Sequence, residues 1–270
     1  MKPSSEDTIK PFPRYTTVSR YRDNVGRSRY HGFQVGLNRR LAGGLSALAS
    51  YTWSKLVDDA SSVFDAGLVT GPVASFPVAD SFNRRLERDV SSGDITHNLT
   101  AGATWQIPFG TAQPHRGHGW MAVLNDWEAA GMVTLQSGLP LAVAQATNFN
   151  AFAGFGTQRP NLVGNPELPA GARNAAGWFN TAAFEEAPQF TLGNSSRNPL
   201  RGPGFQSVDL ALIRVTAANP VLLEWRVELF NALNHTNLGP PNTVLGAPGF
   251  GTITSARPPR VAQLGLRLHF

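Results

Sequence analysis

Apolar and polar side chains take turns through the last eleven residues, 260–270. Ala262, Leu264, Leu266, Leu268 and Phe270 fall on one face, while, Val261 apart, the other face carries Gln263, Gly265, Arg267 and His269. A repeat of two is a strand whose two faces meet different solvents. Its length matches the roughly 9–11 residues that a tilted strand needs to cross a bilayer. Six further segments repeat the pattern. Phe33, Val35 and Leu37 alternate with Gln34, Gly36 and Asn38. After a tight turn at 41–44, Leu45, Ala47, Ala49, Tyr51 and Trp53 alternate with Ser46, Leu48, Ser50, Thr52 and Ser54. Ile95, Leu99, Ala101, Ala103, Trp105 and Ile107 share a face, as do Trp127, Ala129, Gly131, Val133 and Leu135. Val208, Leu210 and Leu212 form a sixth apolar row, and Leu223, Trp225, Val227 and Leu229 a seventh. The opposite faces collect Gln, Asn, Thr, Glu and Arg with no helical spacing, as a water-filled lumen requires.

The lengths of the connections add a second rhythm: short (41–44), long (56–93), medium (110–125), long (139–206), short (216–221) and long (236–259). Hairpin-connected strands alternate in direction, so every long connection leaves on the same side. That asymmetry belongs to outer-membrane barrels, which have short periplasmic turns and extended external loops. The expected fold is therefore all-β, an antiparallel transmembrane barrel segment over residues 29–270 with about seven to eight strands. Residues 1–28 read as an incomplete loop or strand, and 13–21 as part of an eighth strand. A soluble β-sandwich also alternates, its apolar face buried in the core, and stays as the alternative: a surface module whose loops bind glycan or protein. With the C-terminus in the periplasm, Trp105, Trp127 and Trp225 sit toward the periplasmic interface and Trp53 toward the outer one, two aromatic girdles at headgroup level.

Composition changes this picture little. Glycine (27) and proline (20) suit many turns, cysteine is absent, and the net charge of +5 is scattered. There is no disulfide framework or thiolate metal site, and no dense basic stripe for nucleic acid. No apolar run is long enough for a membrane helix, and the first residues lack the apolar core of a secretion signal. A barrel strand set without such a signal is expected to be part of a longer protein, the more so because bacterial barrels have an even strand number of at least eight.

Particular residues then look familiar. Residues 29–37 (RYHGFQVGL), 45–55 (LSALASYTWSK) with Asp58 and Asp59, 94–99 (DITHNL) running on to 107–110 (IPFG), 226–231 (RVELFN) with Asn234 and His235, and the closing 263–270 (QLGLRLHF) occur in order. Together they resemble the barrel of TonB-dependent receptors of the Oar-like type. The resemblance implies a parent with a signal peptide, a regulatory-like amino-terminal domain, a plug and a barrel of about twenty-two strands, the plugged size class. This chain would supply its C-terminal part, and the parent would take up a ligand across the outer membrane. Implied partners are outer-membrane lipid, the barrel-assembly machinery, the upstream plug and remaining strands, and TonB through the missing amino-terminal part.

Candidate chemistry is sparse. Glu224, Arg226 and Glu228 stand at i, i+2 and i+4 and share a face, so one guanidinium reaches two carboxylates. With Arg267 they are candidates to face the lumen or a plug. Phe270 is the candidate assembly signal. His115 and His118 lack a third ligand at metal spacing, so they read as a solvated turn. Asp58 and Asp59 open a long loop, but two adjacent carboxylates make a poor calcium site. The charges of 84–89 nearly cancel, which suggests a solvated loop base. Residues 180–204, rich in Asn, Pro, Gly and Ser, read as an external loop. His97 is a discord, placed on the apolar face. No nucleophile elbow, zinc-helix signature or phosphate loop is present; neither enzyme activity nor a cofactor is expected.

Overall fold

The computed structural model describes residues 26–60, 83–110, 125–147, 158–218 and 220–270. Seven long strands carry the architecture: β1 (Ser28–Ala42), β2 (Leu45–Asp58), β3 (His97–Gln106), β4 (Trp127–Gln136), β5 (Phe205–Ala218), β6 (Val221–Phe230) and β7 (Val261–His269). They form one antiparallel meander in chain order, and the two-residue segment Asp89–Val90 joins it by pairing with the end of β2. That segment is the eighth member. The stretch 13–21, expected to supply part of an eighth strand, lies outside the described residues.

The β1–β2 turn is closed by Gly43 and Gly44 at φ +60° and +76°. Two consecutive left-handed residues make the type I′ geometry whose twist matches the strands it joins, and glycine reaches it without a Cβ clash. At Gly44 a Cβ would also come within 2.9 Å of the Gln106 carbonyl oxygen on β3.

Register converts the sequence alternation into two continuous surfaces. Leu45, Trp105, Ala129, Leu212, Val227 and Leu264 form one row across six strands. The neighbouring row on the opposite face is Ser46, Thr104, Ala130, Ala211, Glu228 and Gln263. Because directly opposed residues share a face, every apolar row expected from sequence lies on the same side of the sheet. No second layer of strands packs on it among the described residues: the extensive contacts of β1 to β7 are with their sheet neighbours. Trp53 is 57% exposed, Leu264 80% and Leu266 56%. A sandwich would bury these side chains, so that alternative fails.

Two strands outrun their sequence signal. β1 begins at Ser28, and its pairing with β2 is interrupted by a register shift between Arg39 and Ala42. β5 continues past Leu212 to Ala218. There the pattern inverts, with Ile213 and Val215 on the polar face and Arg214 on the apolar one. Pairing to β4 and β6 holds the backbone where alternation has stopped. Among the described residues the sheet is open, with β1 and β7 at its two edges.

The buried core lies outside this sheet. Val143, Phe179, Ala183, Phe184 and Leu200 form it, with Trp178, Leu245 and Phe250 packed against it. All belong to the connections after β4 and β6. Phe179, Phe184 and Phe250 meet edge to face with centroids 5.1–6.1 Å apart, the arrangement that ring quadrupoles favour. Short two-strand ladders brace the same region: Pro140–Leu141 with Leu200–Arg201, Ala144–Gln145 with Val244–Leu245, and Asn161–Leu162 with Phe184–Glu185. The long connections thus build a packed cap at one end of the sheet. Within 180–204, read from sequence as an external loop, Ala183, Phe184 and Ala187 are buried in this cap.

Candidate functional site

On the polar face, β6 presents Glu224, Arg226 and Glu228 in line. The Arg226 guanidinium lies 3.2 Å from a Glu224 oxygen and 3.4 Å from a Glu228 oxygen. Both carboxylates are largely shielded, at 15% and 19% side-chain exposure, so each needs the positive charge between them. His269 of β7 adds an Nε2 contact of 3.6 Å to the other Glu224 oxygen. Arg267 stands directly opposite Glu224 in register, yet among the described residues it forms no ion pair. Its place beside Glu224 is taken by His269, two residues on, because the diagonal across antiparallel strands is within reach of long side chains. His269 was visible on the polar face in the sequence, but nothing in the alternation distinguished it from Arg267.

The remainder of this face is a shallow trough. A cavity of about 700 Å³ runs over Ser46, Ser50, Thr100, Gly102, Ala130 and Ala211, bounded by Arg40, Asp209 and Glu228. Small residues in the middle strands leave the backbone accessible. Hydrogen bonds along the floor, Ser46 to Thr104 at 2.6 Å and the Gln136 amide donating to Asn98 at 3.2 Å, hold the polar groups in place.

At the capped end four acid–arginine pairs tie the connections to one another and to the end of β2. Asp58 binds Arg197, Asp59 binds Arg84 at 3.1 Å, Glu87 binds Arg159, and Asp94 binds Arg201 at 2.5 Å. Glu87 and Asp94 are almost fully enclosed. Asp94 accepts three hydrogen bonds: from the Leu56 amide at 2.6 Å, from the Thr96 hydroxyl at 3.0 Å and from Arg201. Burial alone would raise its pKa. The Arg201 contact, the Leu56 amide and the Thr96 hydroxyl outweigh that and hold it below the ordinary carboxylate value. Asp59 behaves alike, with burial opposed by the Arg27 amide and by Arg84, again with a net lowering.

These pairs bear on two stretches singled out in the sequence. Asp58 and Asp59 spend their charge on Arg197 and Arg84, and among the described residues no cluster of three His, Cys, Asp or Glu has metal-binding geometry. The 84–89 stretch is a 3-10 turn, Arg84–Glu87, with Glu87 buried against Arg159, so it is a clamp where a solvated base was expected. Cancelling charges in sequence hid partners that lie more than seventy residues away. His115 and His118 fall outside the described residues.

On the apolar face Trp53 opposes Phe33 near the capped end. Trp127 and Trp225 flank Arg214 toward the other end, the guanidinium carbon 5.8 Å from the Trp127 ring centroid. Trp105 opposes Leu45 and Ala129. Phe270, just past β7, is 99% exposed. His97 is accommodated on this face by Tyr51, whose hydroxyl lies 2.8 Å from Nδ1, with the rings stacked at 6.2 Å.

An apolar exposed face, a polar face that carries the Glu224–Arg226–Glu228 ladder, and connections long at one end and short at the other define a β-sheet protein that meets lipid. Residues 2–263 match the family described as outer membrane beta barrel domain. The chain belongs to that family, and its place is the outer membrane. No curated protein matches it closely enough to add a relative.

Proposed function

We propose that the chain is the C-terminal barrel portion of a TonB-dependent outer-membrane receptor of the Oar-like type, one that takes up a scarce ligand through a plugged barrel. The observation that carries this reading is the open seven-strand meander: among the described residues β1 and β7 each present an unpaired edge. Unpaired backbone groups in hydrocarbon cost several kcal/mol each, so the edges call for further strands. A parent of about twenty-two strands provides them. In this reading the polar face lines the lumen, and the Glu224–Arg226–Glu228 ladder with His269 forms a charged wall against the plug. The packed cap stands outside the cell as the ligand-capturing surface. The chemistry is transport, with no catalytic group, and TonB acts through the plug.

The test is uptake by cells carrying the parent gene, with a panel of labelled siderophores, cobalamin, oligosaccharides and peptides. One class is expected to lose uptake both on deletion of the gene and on depletion of TonB. Uptake that persists without TonB rejects the reading.

A further inference from the structure

One band of the polar face departs from the alternation that organises the rest. Leu48 pairs with Asn38 on one side and Gly102 on the other, Gly102 with Met132, and Met132 with Asp209. Phe230 of β6, opposite Val261 in register, borders the same 700 Å³ trough as Asp209. Leu48 is 61% exposed, Met132 47% and Phe230 43%, so three large apolar side chains stand open on a face otherwise rich in hydroxyls and amides. The trough floor between Leu48 and Met132 is Gly102. Its backbone is not left-handed, and a Cβ there would meet nothing nearer than the Gly131 carbonyl oxygen at 3.8 Å. Neither conformation nor packing within the sheet calls for glycine, and a bare strand position also serves the close approach of a ligand. Leu48 and Met132 stand two strand spacings apart, about 10 Å, which leaves room for one apolar side chain between them.

Asp209 interrupts the band with a fixed charge. Its Oδ1 accepts from the Asn231 amide and the Ser207 hydroxyl, both at 2.8 Å, and among the described residues it forms no ion pair. Glu228 already has Arg226. Arg40 borders the trough from β1, four strand spacings or about 19 Å from β5. The Asp209 carboxylate therefore offers a charge-assisted hydrogen bond to an incoming cation. One row nearer the cap, Ser50 and Thr100 pair in register and are exposed; among the described residues their hydroxyls have no hydrogen-bond partner. We propose that this band binds a short cationic peptide. An apolar side chain enters over Gly102, an ammonium or guanidinium reaches Asp209 about 10 Å away across two strand spacings, and peptide groups bond Ser50 and Thr100. A hydrocarbon would leave the carboxylate and hydroxyls unused, and a sugar would leave the apolar side chains unused. Such a peptide would be the ligand of the uptake proposed above, and on that reading rests how it reaches the lumen.

The test is isothermal titration of the full-length protein, purified from outer membranes in detergent, with the amidated tripeptide Lys-Ala-Leu and with its analogue carrying norleucine for lysine. The lysine peptide is expected to bind saturably, about tenfold or more tighter than the analogue. Asp209→Asn should bring the two peptides to equal affinity. Gly102→Val, which suits a strand, should abolish binding and leave heat-modifiability unchanged. Undiminished binding by either variant overturns the proposal, as does the absence of saturable binding to the unsubstituted protein. TonB-dependent uptake of another ligand class without peptide binding sinks this proposal alone; peptide binding with uptake that persists without TonB sinks the receptor reading alone. Should Gly102→Val fail to assemble, Leu48→Ser, at an exposed position, should weaken binding severalfold and carries the same comparison.

Discussion

Arg226 holds two carboxylates that neither water nor another cation fully serves. Arg226→Ala should destabilise the folded sheet and lower its melting point in heat-modifiability gels, because Glu224 and Glu228, both largely shielded, lose the cation between them. The double change of both glutamates to Gln with Arg226→Met should recover much of the loss. Failure to recover would mean that the arginine acts through packing instead of charge. Glu87 and Arg159 are more deeply enclosed, at 3% and 4% side-chain exposure. Glu87→Ala therefore strands a buried guanidinium at a cost of about 3–5 kcal/mol, read as faster proteolysis of the cap. Asp94 and Asp59 give the cap an acid limit. Their lowered pKa values mean that their contribution is complete above the unfolded carboxylate value near 3.8 and is lost as pH falls through the lower folded values. Limited proteolysis between pH 7 and 3 should show the cap opening only below about pH 4, and Asp94→Asn should remove part of that dependence.

At the scale of elements, the strands and the cap obey different rules. A strand is stabilised by its neighbours' backbone and by the solvent on each face, so one substitution in the β1–β2 turn propagates. Gly44→Val forces a left-handed β-branched residue, at about 1–2 kcal/mol, against the Gln106 carbonyl. It should slow assembly of β1, β2 and β3 together, measured as the fraction of heat-modifiable protein. The cap instead depends on a small aromatic core. Phe184→Ala should cost about 3–5 kcal/mol and loosen the connections after β4 and β6 at once, since Phe179 and Phe250 lose the same partner. Hydrogen exchange should rise in both connections while β3 to β6 stay protected; a rise confined to one connection would show that they do not share a core.

Taken whole, the molecule inverts the usual arrangement. Its large sheet exposes apolar side chains, and its buried core sits in the loops. Lipid replaces a second protein layer on the outward face, which is why a strand set with Leu264 at 80% exposure is stable in its own solvent. Assembly into that solvent depends on the last strand. Deleting Phe270 is expected to lower the amount of full-length parent inserted in the outer membrane, measured by surface protease accessibility, with insertion at the normal level counting against an address role.

Sequence alone determined the strands, their faces and the side on which long connections leave, because a period of two is local and each residue reports its own solvent. Leu45, Trp105, Ala129, Leu212, Val227 and Leu264 could each be assigned outward without knowing their neighbours. Only the tertiary structure decided what the loops do. Phe179, Phe184 and Phe250 carry no period, and Glu87 meets Arg159, as Asp58 meets Arg197, across separations that no local pattern encodes. It also decided which side chain of β7 reaches Glu224, since His269 and Arg267 share a face and the diagonal reach across β6 and β7 selects between them. Solvent is read one residue at a time, whereas a partner is fixed only when the chain has brought two distant residues together.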